Sequence, residues 1–169
     1  GLDNLVTVGG DLRVADSVIR SIDGFAALET VGGYLAVGNN DDLVDLDAFN
    51  AVTSVGGNLS VTSNPALTSL SGFDALREVG GDFTMEDNNA LEAVEAFDAL
   101  RIVGGEFALM EHNALLQVHG FNALLEVGDW LIVSDNPLMT SISGFEALRS
   151  TGRGVSIGLN DVLVEISGF

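Results

Sequence analysis

A Val-Gly-Gly signal recurs along this chain at Val8, Val31, Val55, Val79, Val103 and Val127, with Thr151-Gly152 in its place at the end. The first step is 23 residues and each later one is 24. A fixed period in this range marks a solenoid, in which each coil contacts only its neighbours. The unit reads G-F-x-A-L-x-x-V-G-G-x-L-x-V-x-x-N-x-x-L-x-S-I-x, and seven copies fill the chain.

Aligning the copies produces columns. Phe25, Phe49, Phe73, Phe97, Phe121, Phe145 and Phe169 share one apolar column, with Leu2 at its head. The x-L-x-V-x stretch alternates with a period of two, the signature of a strand with one face inward. Stacked copies of it make a parallel sheet. The L-x-S-I-x stretch predicts a second, shorter strand. The G-F-x-A-L-x-x-V stretch fits either a tight turn or a third short strand. The Gly-Gly pair is expected to supply positive φ at a corner. A polar column (Ser17, Asn40, Asn64, Asn88, His112, Asn136, Asn160) is expected to bond backbone groups that a bend leaves unpaired. The expected fold is therefore all-β: one parallel β-solenoid, or β-helix, over residues 1–169, right-handed by the rule for parallel crossovers. The chain stops two residues into an eighth unit, so it reads as a piece of a longer array.

The segment Leu67-Thr68-Ser69-Leu70-Ser71-Gly72-Phe73-Asp74-Ala75-Leu76-Arg77-Glu78-Val79-Gly80-Gly81-Asp82-Phe83 resembles the leucine-rich β-helical repeats of receptor L domains. It is also similar to repeats of fungal cell-wall proteins and their bacterial relatives. That resemblance extends over the whole chain. It implies extracellular ligand binding, adhesion or wall organisation, and not catalysis. The chain departs from receptor L domains in lacking their cysteines and in its regular period.

Composition narrows the partners. Six arginines, no lysine and 25 acids give a net charge of −19, which repels nucleic acid and anionic membranes. No apolar run is long enough to span a membrane as a helix, and no membrane insertion is expected. Without cysteine, no disulfide or thiolate metal site can form.

The candidate sites are few. His112 and His119 fall in different columns and so at different corners, and no metal pair is expected there. Asn39-Asn40-Asp41-Asp42, Glu86-Asp87-Asn88-Asn89, Asp135-Asn136 and Asn160-Asp161 offer oxygens of the kind calcium takes. Turn chemistry accounts for them without it, no EF-hand loop is present, and no cofactor is expected. No carboxylate pair stands out for glycoside chemistry, so a carbohydrate-active enzyme ranks a distant third. The departure that carries most weight is Trp130. The alternation turns Leu131 and Val133 inward, hence Trp130 and Ile132 outward, with Met110 beside them. The Trp130 column otherwise holds Asp11, Asn58, Asp82 and Glu106, with Tyr34 its only other aromatic member. Met110, Trp130, Ile132 and Tyr34 are thus the candidate partner-binding residues, since exposed apolar patches with aromatic side chains mark interfaces.

The function expected is a non-catalytic binding or adhesion module on a prokaryotic cell surface, with a protein or glycan partner. The alternative is a self-assembling structural subunit whose copies stack end to end.

Overall fold

The computed structural model describes residues Gly1–Phe169. It contains strands, turns and no helix. Every pairing between strands is parallel, and each pairs a residue with its counterpart in the next coil, as Phe83 does with Phe107 and Leu131 with Val155. The chain is a parallel β-solenoid of seven coils.

Each coil has three faces. The first is a seven-stranded sheet of two-residue strands, from Thr7–Val8 to Ser150–Thr151. The second is also seven-stranded and holds the alternating segments, from Leu12–Ala15 through Phe107–Met110 and Trp130–Ser134 to Gly154–Gly158. The third is the shorter strand expected from L-x-S-I-x. It splits into a pair, Asp45–Leu46 with Ser69–Leu70, and a four-stranded sheet beginning at Ala93–Val94.

Two tight turns close each coil. In G-F-x-A-L the leucine N–H returns to the phenylalanine carbonyl, as from Leu76 to Phe73 at 3.1 Å, so this part of the stretch is a tight turn, while the x-V that ends it is a third short strand, as in Glu78–Val79 of the first sheet. In N-x-x-L the same bond runs from Leu91 to Asn88 at 3.1 Å.

The asparagine column does what the sequence suggested. Asn64 Nδ2 donates to the Val37 carbonyl at 3.2 Å, and the Asn64 N–H donates to Asn88 Oδ1 at 3.2 Å. Repeated from coil to coil, these bonds form a buried ladder from Asn40 to Asn160. A buried amide without such partners would be costly, so the ladder fixes the stacking register.

The Gly-Gly pair works differently from the expectation. None of these glycines has positive φ. They are needed because neighbouring coils touch there. A Cβ on Gly32 would lie 2.5 Å from the Gly9 carbonyl oxygen, and Cβ atoms on Gly56, Gly80 and Gly104 would collide with the carbonyl oxygen one coil back. The left-handed corner lies elsewhere, at Asp16, Asn39, Ser63, Asp87, Glu111, Asp135 and Leu159, with φ between 54° and 60°. It immediately precedes the ladder. Asp and Asn tolerate that conformation best, which explains much of the column's acid and amide content.

Inside, one continuous apolar cluster runs the length of the rod. The phenylalanine column stacks ring on ring, with Phe73 and Phe97 at 5.1 Å and Phe97 and Phe121 at 5.5 Å. Phe83 and Phe107 form a second stack at 4.8 Å and meet the first edge-on, Phe107 to Phe121 at 89°. Each buried phenylalanine contributes about 1.5–3 kcal/mol of apolar burial, and the edge-on pairs lock the first stack to the inner face of the second sheet.

Candidate functional site on the outer sheet face

The second sheet has the longest strands of the rod, and its outward side chains form three parallel columns. One runs Asp11, Tyr34, Asn58, Asp82, Glu106, Trp130, Gly154; the register of the strands places these residues in line along the solenoid axis.

This column has a structural task. Asp11 Oδ1 accepts the Tyr34 N–H at 3.0 Å, Asn58 Oδ1 accepts the Asp82 N–H at 3.0 Å, and Asp82 Oδ1 accepts the Glu106 N–H at 2.9 Å. A short carboxylate or amide thus caps the strand entry of the next coil. Tyr34 and Trp130 cannot make that bond, because neither carries an acceptor within reach of the backbone. They stand where the fold asks for Asp or Asn.

Trp130 is 38% exposed and is the only tryptophan. Its six-membered ring rests on Gly154. A Cβ placed there would lie 2.7 Å from Cζ3 and 3.2 Å from both Cε3 and Cη2. The flanking atoms are only slightly further away than the central one, as when a ring lies face-on and not edge-on. One face of the indole is therefore supported by the sheet while the other turns to solvent. Any side chain at position 154 would lift it.

Ile132 and Met110 are half-buried on the same face, and Ala108 between them is buried. Met110, Trp130 and Ile132 therefore lie on one face across two coils, with Met110 in register with Ser134 and diagonal to Ile132. Tyr34 does not join them. It is 39% exposed and shares Trp130's column, but it stands four coils away, about 19 Å at one strand spacing per coil. A shallow pocket beside it is lined by Asp11, Asn58 and Ser60.

Immediately before Trp130 in the chain, the Asp129 carboxylate lies 3.0 Å from Arg153 Nε and bridges the same two coils that Trp130 and Gly154 bridge. It is a charge contact, for no N–H is aligned on that carboxylate oxygen. The alternation of the strand does not mark this pair. Its signal was present, since Asp129 and Arg153 replace the second glycine of the Val-Gly-Gly column in consecutive coils.

The histidines are apart. His112 is buried in the asparagine ladder, and burial pushes its imidazole down to about 4 against a weak opposing pull from Asp87. His119 is half-buried with Nδ1 3.3 Å from Ser143 Oγ. Asp16 faces solvent at the left-handed corner. Its hydrogen bond from Arg13, with that from Asn39, holds its carboxyl below the ordinary value.

Comparison of the chain with protein-family models, with curated proteins and with solved structures finds no match.

Proposed function

We propose that this chain is a non-catalytic binding or adhesion module of a prokaryotic cell-surface protein. One observation carries the reading. Trp130 occupies a position where the fold favours a capping Asp or Asn, and its ring, resting on Gly154, stays partly exposed on the second sheet. An aromatic side chain kept at the loss of a structural hydrogen bond points to selection for contact. The resemblance of the repeat to receptor L domains and to cell-wall repeat proteins supports the same reading. The acidic surface favours neutral or basic partners.

The test is adherence of the labelled chain to intact bacterial cells and to protein-stripped cell walls. Saturable adherence, at least tenfold weaker for Trp130→Ser with an unchanged circular dichroism spectrum, supports the module. Adherence to no surface, or adherence indifferent to Trp130, sinks it.

A second reading is end-to-end assembly of copies. The two terminal coils expose members of the core columns, Leu2 at one end and Val155, Ile166 and Phe169 at the other. Phe169 stacks on Phe145 at 5.1 Å, the same ring-on-ring contact that joins the inner coils. Sedimentation velocity against concentration separates the readings, since open-ended growth at micromolar chain favours assembly and a persistent monomer excludes it.

A further inference from the structure

We propose that the outer face of the second sheet binds a neutral glycan in extended form, with Trp130 as its main stacking platform and Tyr34 as a second one. The proposal rests on the binding-module reading and names its ligand class.

The apolar surface is too sparse for a protein partner. The core of a protein interface is enriched in apolar and aromatic side chains, whereas on this face the large apolar side chains are Trp130, Ile132, Met110 and, four coils away, Tyr34, and the columns around them are polar. A single supported aromatic face suits a pyranose ring, whose C–H groups pack on an indole while its hydroxyls point sideways. The sideways partners are in place. Asp129 and Arg153 immediately precede Trp130 and Gly154 in the chain; Asp129 Oδ1, which faces Arg153, is buried, while the side chain as a whole keeps a third of its surface exposed. A sugar hydroxyl can donate to the other carboxylate oxygen, Oδ2, and accept from the guanidinium.

The column itself gives the extended direction. Between Tyr34 and Trp130 lie Asn58, Asp82 and Glu106, one per coil, so two aromatic platforms bound a straight run of amide and carboxylate groups parallel to the rod. A face of parallel strands that continues through all seven coils accommodates a chain and not a single sugar. The carboxylates on that line, together with the net charge of −19, exclude acidic glycans.

Because Trp130 is the only tryptophan, its emission reports the site directly. The whole chain is titrated with the neutral hexasaccharides of β-1,4-glucose, β-1,4-N-acetylglucosamine, β-1,3-glucose and β-1,4-mannose, with hexagalacturonate as the acidic probe. The expected result is a saturable blue shift with at least one neutral hexasaccharide and none with hexagalacturonate. By calorimetry, Trp130→Ala weakens that binding at least tenfold and Trp130→Phe less. Tyr34→Ala weakens binding of the hexasaccharide at least threefold and leaves the corresponding disaccharide unchanged. No saturable change with any of the four neutral hexasaccharides overturns the proposal, and so does binding that Trp130→Ala leaves unaltered. If the panel is silent while Trp130→Ser still abolishes adherence to cells, the glycan assignment falls and the binding-module reading stands.

Discussion

The backbone N–H of Asn88 donates to Nδ1 of His112, 3.1 Å away, so an imidazole nitrogen takes the place that an asparagine oxygen holds in the neighbouring coils. This settles the tautomer. Nδ1 must be the acceptor, the proton sits on Nε2, and Nε2 has no partner in the buried interior. Elsewhere in the ladder the amide nitrogen donates to a carbonyl one coil back, as Asn88 does to Val61 at 2.9 Å. The equivalent carbonyl for His112 is that of Met85.

Protonation of His112 places a proton on the accepting nitrogen and a charge in the core, and its folded-state value is lowered from 6.5 to about 4. A base with a depressed folded value stabilises the fold fully above the unfolded value and loses that contribution as the pH falls. The loss sets in below 6.5 and is complete near 4, and it amounts to about 3 kcal/mol. His112→Asn restores the amide and removes this share of the pH dependence. Urea unfolding of both proteins from pH 7 to pH 4 checks it: the difference between them should grow in favour of the variant toward acid. Parallel curves overturn the assignment.

Gly104→Ala is expected to destabilise by about 1–3 kcal/mol or more, since its Cβ would collide with the Gly80 carbonyl oxygen, which is backbone and cannot turn aside. Gly9→Ala, in the same motif, meets nothing within 4 Å and should be close to neutral. Thermal unfolding of the pair tests whether close approach explains these glycines. Equal effects at the two positions would falsify it.

Leu159 holds φ at 54° at the left-handed corner, where the preceding coils carry Asp, Asn, Ser or Glu, and its side chain is 71% exposed. It gains little by burial and bears a left-handed strain of about 1–2 kcal/mol. Leu159→Asn should raise stability by about 1 kcal/mol, seen as a higher midpoint in urea with an unchanged slope. A lower midpoint would mean that Leu159 packs against something in solution.

The fold was legible because its columns repeat. Seven alignments of Leu131-type and Phe121-type positions leave no freedom about which side chains turn inward, and the structure buries both residues fully. The second, shorter strand and the role of the asparagines were legible for the same reason. What the sequence hid was geometry between coils. Gly80 reads as a flexible residue, and only the approach of the Gly56 carbonyl shows that its missing Cβ matters, not its φ. The left-handed corner was hidden because Asp87 and Asn88 both look like turn residues; one bends the chain and the other is buried in the ladder. In the candidate site, outward Trp130 was legible from alternation. Its seat on Gly154 was not, because a glycine gives no sign of what lies over it. Tyr34 shares Trp130's column, and the 24-residue period already sets the two four coils apart.

The last prediction concerns why position 130 is aromatic at all. Asp11, Asn58 and Asp82 show that an acid or amide in this column accepts the backbone N–H of the next coil. Trp130→Asn should therefore recover a bond to the N–H of Gly154. A neutral hydrogen bond contributes about 0.5–1.5 kcal/mol, set against the apolar contact that the ring makes with Gly154. The variant should fold with unchanged circular dichroism and a stability equal to or above that of the native chain, and it should lose adherence. Stability and binding would then move in opposite directions at one residue, as expected where a side chain is kept for contact and not for the fold. A large loss of stability in Trp130→Asn would show the indole to be a structural cover for the sheet, and the binding reading would lose its main support.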